Sequence, residues 1–507
     1  MTQNGTDKKL IVGNAPIADD IVRQAHPAEV DFVGMEDNVD LSAYSDVFIL
    51  GDGDDCDRPE EHDNRSIGWL LRQAHNTPRQ ARPEKSRCHL MLQSVDTFTY
   101  LQRNNLAAAI EERFAVFPFH MGNEWSLKIR LDHSPITIQS QQFAHLVIFG
   151  LGQMTQLAAV NMCLQCHFPN HTRNNQLRTR ITVVDREIEA WQQQITQQYR
   201  HLFENCHYRV IDTAQKEMVT YEHRPENLDH LGDFVDVEWE FVKADIAHPA
   251  IQAKLAHWAT SPAQQLTLLL AHNDTMHNLR LASMLPAALA IQKTPIYLNT
   301  HDDTLLQATI PSADSLNLKA IGMHDSGYDI HLPYVKMAQT VNYINTLCYN
   351  DNIAGWTGRP LYAVEIDKEE CKTLWDKLSA LKRTSNICNA RMLPIKMRSI
   401  GIDENDWDKF YDIPQQTIDV MAQVEHNRWS CEELLLGWRP CTAEEQRLVE
   451  QDVHQKSKLK EKKIHYDLRT YGDLRSDETG RSAAIYDICL SAALPLIAGA
   501  ATSGQDL

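Results

Sequence analysis

The chain reads as an α/β protein with doubly wound, Rossmann-type sheets at its N-terminus and centre, followed by a mainly α-helical C-terminal domain. Three observations predict this. Short strand-like apolar runs alternate with helical segments from residue 8 to about residue 322. One of those runs, His145 to Phe149, leads directly into Gly150-Leu-Gly152 and an apolar helix. From about Asp325 onward the strand runs stop and helical periodicities replace them.

The first unit carries expected strands over 9–12, 30–33, 46–50 and 88–93, helices over 19–25 and 96–113, and a long polar loop over 51–65. Its first turn, Gly13-Asn14, lacks a Gly-x-Gly, so no dinucleotide is expected there. The second unit has strands over 145–149, 180–184, 238–242, 266–270, 294–298 and 318–322, with helices after Gly152, over 187–202 and over 276–290. Helices are then expected over 334–348, 368–382, 387–400, 414–436 and 483–498. The 507 residues are too many for one core, and the expected domains are 1–140, 141–330, 331–410 as a helical connector, and 411–507.

Net charge is −19 with no long basic run, which argues against a broad nucleic-acid face. The short run Lys456 to Lys463 reads as a solvated face. The opening MTQNGTDKKL has no apolar segment behind a basic one, so no signal peptide is expected. The longest apolar run, 488–501, is shorter than the roughly 18–20 residues of a spanning helix and contains Pro495. It is expected to be a packed terminal helix. Eleven cysteines show no framework, so free thiols in a reducing cytoplasm are expected.

The central turn carries the first chemistry. Gly150 and Gly152 occupy the first two positions of a G-x-G-x-x-G phosphate turn, and Thr155 takes the third. Gln153 and Met154 open the following helix. Asp185, then Arg186, end the second strand, where a carboxylate can accept both ribose hydroxyls. A Rossmann scaffold without a ligand is the open alternative. HLVIFGLGQMTQLAA, ITVVDRE, VEWEFVKADI and LLLAHNDTMHNLRLASML together resemble the nucleotide-binding domain of Trk-type potassium-uptake regulators, the RCK family. The resemblance runs from His145 to about Gly322. It implies NAD(H), ATP or ADP as ligand, sensing rather than turnover, and a homodimer or higher homo-oligomer. It also implies roles for Asp245 near the adenine side, and for Asp274 and Asn278 at the helix after the fourth strand.

Residues 421–438, MAQVEHNRWSCEELLLGW, carry the second motif. Helical spacing puts Glu425, His426 and Trp429 on one face and lets Arg428 pair with Glu432. One reading is a core helix with two buried tryptophans. The other is an aromatic pocket for a flat polar ligand, in which Trp429 stays partly exposed. EHNRW, the Gly437-Trp438 pair, His465, Leu468, Tyr471, Leu474 and Tyr486-Asp487 resemble the ryanodine-receptor-type (RyR) repeat domain over about 418–488. The stretch 375–401, with Arg383-Thr-Ser-Asn386, resembles the helical lead-in of its prokaryotic members. The resemblance implies a small ligand-sensing or interaction module with adenine-nucleotide-like ligands. Its expected contacts are Glu425, His426, Arg428, Trp429, Trp438, His465 and Tyr471.

Other patterns are weaker. Cys163-Leu-Gln-Cys166-His167 with His171 has metal-type residues, but two of them lie on the helix that should cover the sheet. Buried free thiols with surface histidines are expected there, and no metal. The acidic run 51–57 lacks the spacing of a calcium loop. No G-x-S-x-G, P-loop or H-E-x-x-H occurs. The leading expectation is a non-catalytic, nucleotide-sensing regulator. Its rivals are an NAD(P)-dependent oxidoreductase and an interaction scaffold without a ligand.

Overall fold

The computed structural model of the chain describes residues 8–52, 58–77, 85–213, 218–300, 316–322, 327–350, 366–402 and 413–502. The chain forms two compact units: 1–128 with 322–333 and 372–385, and 129–321 with 334–371 and 386–507. The expected cuts at 140, 330 and 410 do not coincide with these limits.

The first unit is built on strands β1 (Lys8–Gly13), β2 (Glu29–Val33), β3 (Asp46–Gly51), β4 (Ser86–Met91) and β5 (Phe114–Phe119). They form a parallel sheet in the order β2-β1-β3-β4-β5. Leu10, Ile11, Val12, Phe48 and Ile49 are fully buried, as befits parallel strands covered on both faces. β5 was not expected. The predicted 96–113 helix instead breaks at Asn104 into Val95–Arg103 and Ala108–Glu111, which leaves FAVFPF free to form the edge strand. The expected polar loop also gives way: helix Pro59–Asn76 starts inside it, with Pro59, Glu60 and Glu61 in its first turn. Most of the acidic run 51–57 lies outside the described residues.

Among the described residues, the large sheet of the second unit has eight strands: β6 (Phe143–Phe149), β7 (Thr179–Asp185), β8 (His207–Asp212), β9 (Met218–His223), β10 (Val237–Lys243), β11 (Gln264–Leu270), β12 (Pro295–Asn299) and β13 (Asn317–Ile321). Their order is β13-β12-β11-β6-β7-β10-β8-β9. All neighbours are parallel except β8 and β9. From β6 the chain runs outward through β7 to the edge hairpin β8–β9 and comes back to β10 beside β7, then crosses to β6's other side and winds through β11 to β13. This is a doubly wound, Rossmann-like sheet with a hairpin added at one edge. Its topological switch point lies between β6 and β11. Phe149 pairs with Val184 on one side and Leu270 on the other, so Gly150, Asp185 and Ala271 leave the sheet at the same edge.

One face of this sheet packs on helices Pro249–Thr260 and Thr275–Ala282 through Ile251, Leu255, Leu268 and Leu281. Helix Gln153–Gln165 is buried on nearly every side, because helix Gln415–Leu435 packs against it. The remaining C-terminal helices include Ala443–Gln451, Gln455–Lys460, Tyr471–Ser476 and Glu478–Ala492. A short parallel pair joins β14 (Arg439–Pro440) to β15 (Ile464–His465). The apolar terminal run divides into Glu478–Ala492 and a further helix from Leu494, bent by 56°. No single helix among the described residues is long and apolar enough to cross a membrane.

Asn278 pins the edge where β11 ends. Its fully buried amide donates to the His272 carbonyl at 2.7 Å and the Asn299 carbonyl at 2.8 Å, and accepts from the His272 N–H at 3.2 Å. Asn278→Ala should therefore destabilise the second unit by about 2–4 kcal/mol, since three buried hydrogen bonds to backbone groups are lost. Chemical denaturation of the full chain checks this; a loss below 1 kcal/mol (about the worth of one bond) would contradict it.

Candidate nucleotide site and C-terminal aromatic cluster

The Gly150–Gly152 turn sits at the switch point. Gly150 has φ +94°, in the left-handed region, and an added Cβ would lie 2.5 Å from His272 Nε2. Only glycine fits there. Gly152 differs. Its φ of 171° is extended backbone, and an added Cβ would meet nothing nearer than Asn273 Oδ1 at 3.5 Å. The protein itself makes no demand for glycine at 152. Thr155, in the third motif position, is fully buried and its hydroxyl donates to the Gly150 carbonyl at 2.7 Å. The threonine thus closes the turn from beneath, where a third glycine would let helix and strand approach.

Helix Gln153–Gln165 starts at Gly152 and carries no acidic residue in its first turn, so nothing within it neutralises the N-terminal dipole. Gln153 is exposed, whereas the Met154 side chain is buried and leaves only its backbone toward the turn. Asp185 Oδ1 accepts from the Glu187 N–H at 2.8 Å, and Oδ2 has no hydrogen-bond partner among the described residues. Asp245 accepts from the Ala247 N–H at 2.7 Å and pairs with the Arg186 guanidinium across the ends of β7 and β10. The Ala247 bond first, then the Arg186 charge acting against burial, holds its carboxyl below the usual range.

Two expected contacts serve the turn itself. Asp274 caps helix Thr275–Ala282 by accepting from the Met276 N–H at 2.8 Å and the His277 N–H at 3.3 Å. Asn278 is committed to the backbone bonds described above. Sequence reasoning missed His272, which lies against Gly150 and meets His277 edge-on at 4.3 Å. Burial first, then His277, lowers its pKa against the pull of Asp185 and Asp274. Its position just after β11 is the signal that could have found it.

The C-terminal motif divides in two. Glu425, His426 and Arg428 are 1–2% exposed. Glu425 and His426, expected among the contacts of an aromatic pocket, are instead in the interior, where ion pairing makes their burial tolerable. Glu425 Oε2 accepts from Lys396 Nζ at 2.6 Å, and Arg428 binds Glu425 at 2.9–3.1 Å and Glu432 at 2.8 Å. Burial raises the Glu425 pKa, but Arg428 and Lys396 outweigh it and bring it to about 2. Glu425 and Arg428 are thus structural ions rather than ligand contacts. His426 donates to the Arg469 carbonyl at 2.8 Å and faces Asp487 at 3.3 Å.

The other half is aromatic. Trp429 and Trp438 are half-buried. Both meet His465 edge-on, with ring centroids 4.8 Å and 5.6 Å away. Burial pushes the His465 pKa down to about 4, so the ring is neutral. Tyr471 lies 5.6 Å from His426, and its buried hydroxyl has no partner among the described residues. Glu433, four residues after Trp429, was not expected at this cluster. Burial first and the Glu432 charge second push its pKa up to about 8. The cluster therefore combines two indole edges, a neutral imidazole, an unpaired phenol and an acid that is mostly protonated at neutral pH.

His167 and His171, expected at the surface, are also buried, at 1% and 6% exposure. The crossover that carries them is covered by helix Gln415–Leu435.

Compared with protein-family models, curated proteins and solved structures, the chain matches none.

Lys396→Met should destabilise the second unit by roughly 3–5 kcal/mol, because the buried Glu425 loses one of its two cations. Equilibrium unfolding measures this, and an unchanged midpoint would remove the ion network from the account. Glu433 gives a pH signature. Its folded pKa of about 8 lies above the ordinary 4.5, so the stability it contributes is full below pH 4.5 and is lost as pH rises through 8. Glu433→Gln should thus gain roughly 2–4 kcal/mol on wild type at pH 8 and converge with it near pH 4.5. Melting curves across that range test the sign.

Proposed function

We propose that the chain is a non-catalytic nucleotide-sensing regulator. NAD or an adenine nucleotide binds at the Gly150–Gly152 turn, and the Trp429–His465 cluster takes a second small, flat ligand or a partner's side chain. One observation carries the first half. Gly152 sits at the switch point of a Rossmann-like sheet, at a helix N-terminus, and nothing in the protein requires its missing side chain. A pyrophosphate approaching the first-turn N–H groups does require it. Asp185 Oδ2 supports the ribose end. The RCK resemblance favours sensing and self-association, and the RyR resemblance favours a ligand at the aromatic cluster.

The oxidoreductase reading has one observation of its own: His272, held neutral beside the turn, is a candidate proton relay. Calorimetry of the full chain with NAD, ADP and ATP separates the readings. Asp185→Ala should weaken binding at least about tenfold, since each charge-assisted bond is worth roughly 1.5–3 kcal/mol. Gly152→Val should abolish binding without lowering the melting temperature. Equal affinity in parent and both variants would sink the site. Steady NADH consumption with a carbonyl substrate, lost in His272→Asn, would replace the regulator with the enzyme.

A further inference from the structure

Away from the Gly150–Gly152 turn, four elements of the second unit bring ligand-type side chains together. His167 follows helix Gln153–Gln165, and His171 lies on the short helical turn Pro169–Thr172. Asp236 immediately precedes β10, and Cys431 lies on helix Gln415–Leu435. One ligand atom each from His167, Asp236 and Cys431 lies within 4.8 Å of the other two. All three residues are at most 2% exposed.

The surrounding bonds are those a metal site needs. His167 Nε2 lies 2.8 Å from the Cys163 carbonyl, and its N–H donates there. This leaves Nδ1 facing Asp236 Oδ1, at 2.7 Å. A ligating histidine is typically oriented in this way, by donating its other ring N–H to a carbonyl. Asp236 Oδ2 accepts from the Asn427 amide at 3.2 Å, which fixes the carboxylate in turn. His171 is 6% exposed, and neither of its ring nitrogens has a hydrogen-bond partner among the described residues. Its turn packs against helix Gln415–Leu435, which carries Cys431, and it follows His167 by four residues.

We propose that His167 Nδ1, His171, Asp236 and Cys431 form a closed, four-ligand site for zinc or a zinc-like divalent cation, which fastens the C-terminal helix to the Rossmann-like sheet. The donor set selects the cation: one thiolate and two imidazoles suit zinc, whereas magnesium and calcium take oxygen alone. A plain His167–Asp236 pair accounts for two of the residues. It leaves His171 buried with two idle nitrogens, which a metal site explains. The C-x-x-C-H pattern is not the ligand set, since the Cys166 thiol points to Met162 Sδ at 3.5 Å. Cation entry forms four coordinate bonds and parts His167 Nδ1 from Asp236 to about 3.3 Å, the edge of a zinc tetrahedron. It releases the Cys431 thiol proton and the proton shared by His167 and Asp236, with no change of oxidation state.

Metal analysis of the full chain, followed by chelation and titration with Co²⁺, tests the site. The protein should bind one equivalent with the intense visible bands of four-coordinate cobalt and a thiolate-to-cobalt charge-transfer band. Cys431→Ser should lose the charge-transfer band and Cys166→Ser should keep it. His171→Leu should weaken cobalt binding by more than the roughly 10–100-fold that even outer-shell changes cost. In chelator, His171→Leu should melt no lower than wild type, because it removes only unpaired polar atoms; this variant carries the test if Cys431→Ser fails to fold. No cobalt band in wild type, wild-type affinity in His171→Leu, or loss of the band in Cys166→Ser instead of Cys431→Ser would overturn the proposal.

Discussion

The second unit depends on the double burial of helix Gln153–Gln165. The sheet covers one side and helix Gln415–Leu435 another, so the helix is apolar around most of its circumference. A surface helix would show a polar stripe. The same contact decides the chemistry of the covering helix. Its polar residues Glu425, His426, Asn427, Arg428 and Glu432 are placed in the interior and need partners there. Lys396 and Arg398, two positions apart on helix Leu393–Ser399, each meet a buried carboxylate. Lys396 reaches Glu425 at 2.6 Å, and Arg398 binds Asp132 through two nitrogens at 2.6 and 2.9 Å. An isolated buried charge costs several kcal/mol, so these pairs are a condition of the packing.

That condition explains which parts of the structure are legible in the sequence. The strand runs around Val147, Val183, Leu268 and Ile296 are continuous and apolar because both sheet faces are covered, and any reading of the chain finds them. Gly150 is legible because its backbone conformation and the nearness of His272 leave no other choice. Asp185 is legible because it ends a strand. The hairpin β8–β9 is hidden, since an edge hairpin exposes rows such as Val219 and Tyr221 and lacks an apolar run. Helix breaks at Asn104 and Tyr199 are hidden because neither residue is a glycine or proline.

The candidate sites show the same division. Spacing places Glu425, His426 and Trp429 on one helical face, but it does not say what lies over that face. Only the fold reveals that Lys396 and Asp487 cover part of it and leave Trp429 half-open beside His465. His167 and His171 looked solvent-facing because they follow a helix end. Their burial comes from a helix more than 240 residues further along the chain. Long-range covering of this kind leaves no local trace.

The double burial also constrains how the parts can influence one another. Helix Gln153–Gln165 is about 20 Å long at 1.5 Å per residue. Its N-terminus follows the Gly150–Gly152 turn, and His167 follows its other end. Along its length it bears on helix Gln415–Leu435, which carries Trp429. A close-packed interior has no slack, so a displacement of one end is not absorbed locally. A ligand drawn onto the first-turn N–H groups would load a rod braced on both sides. The covering helix is locked at Glu425 by Lys396, and the aromatic cluster one turn further on has an unpaired Tyr471 hydroxyl and a protonated Glu433. Helix Gln153–Gln165 thus joins the turn at its N-terminus to helix Gln415–Leu435 along its side, and the Lys396–Glu425 pair fixes the covering helix one turn before Trp429.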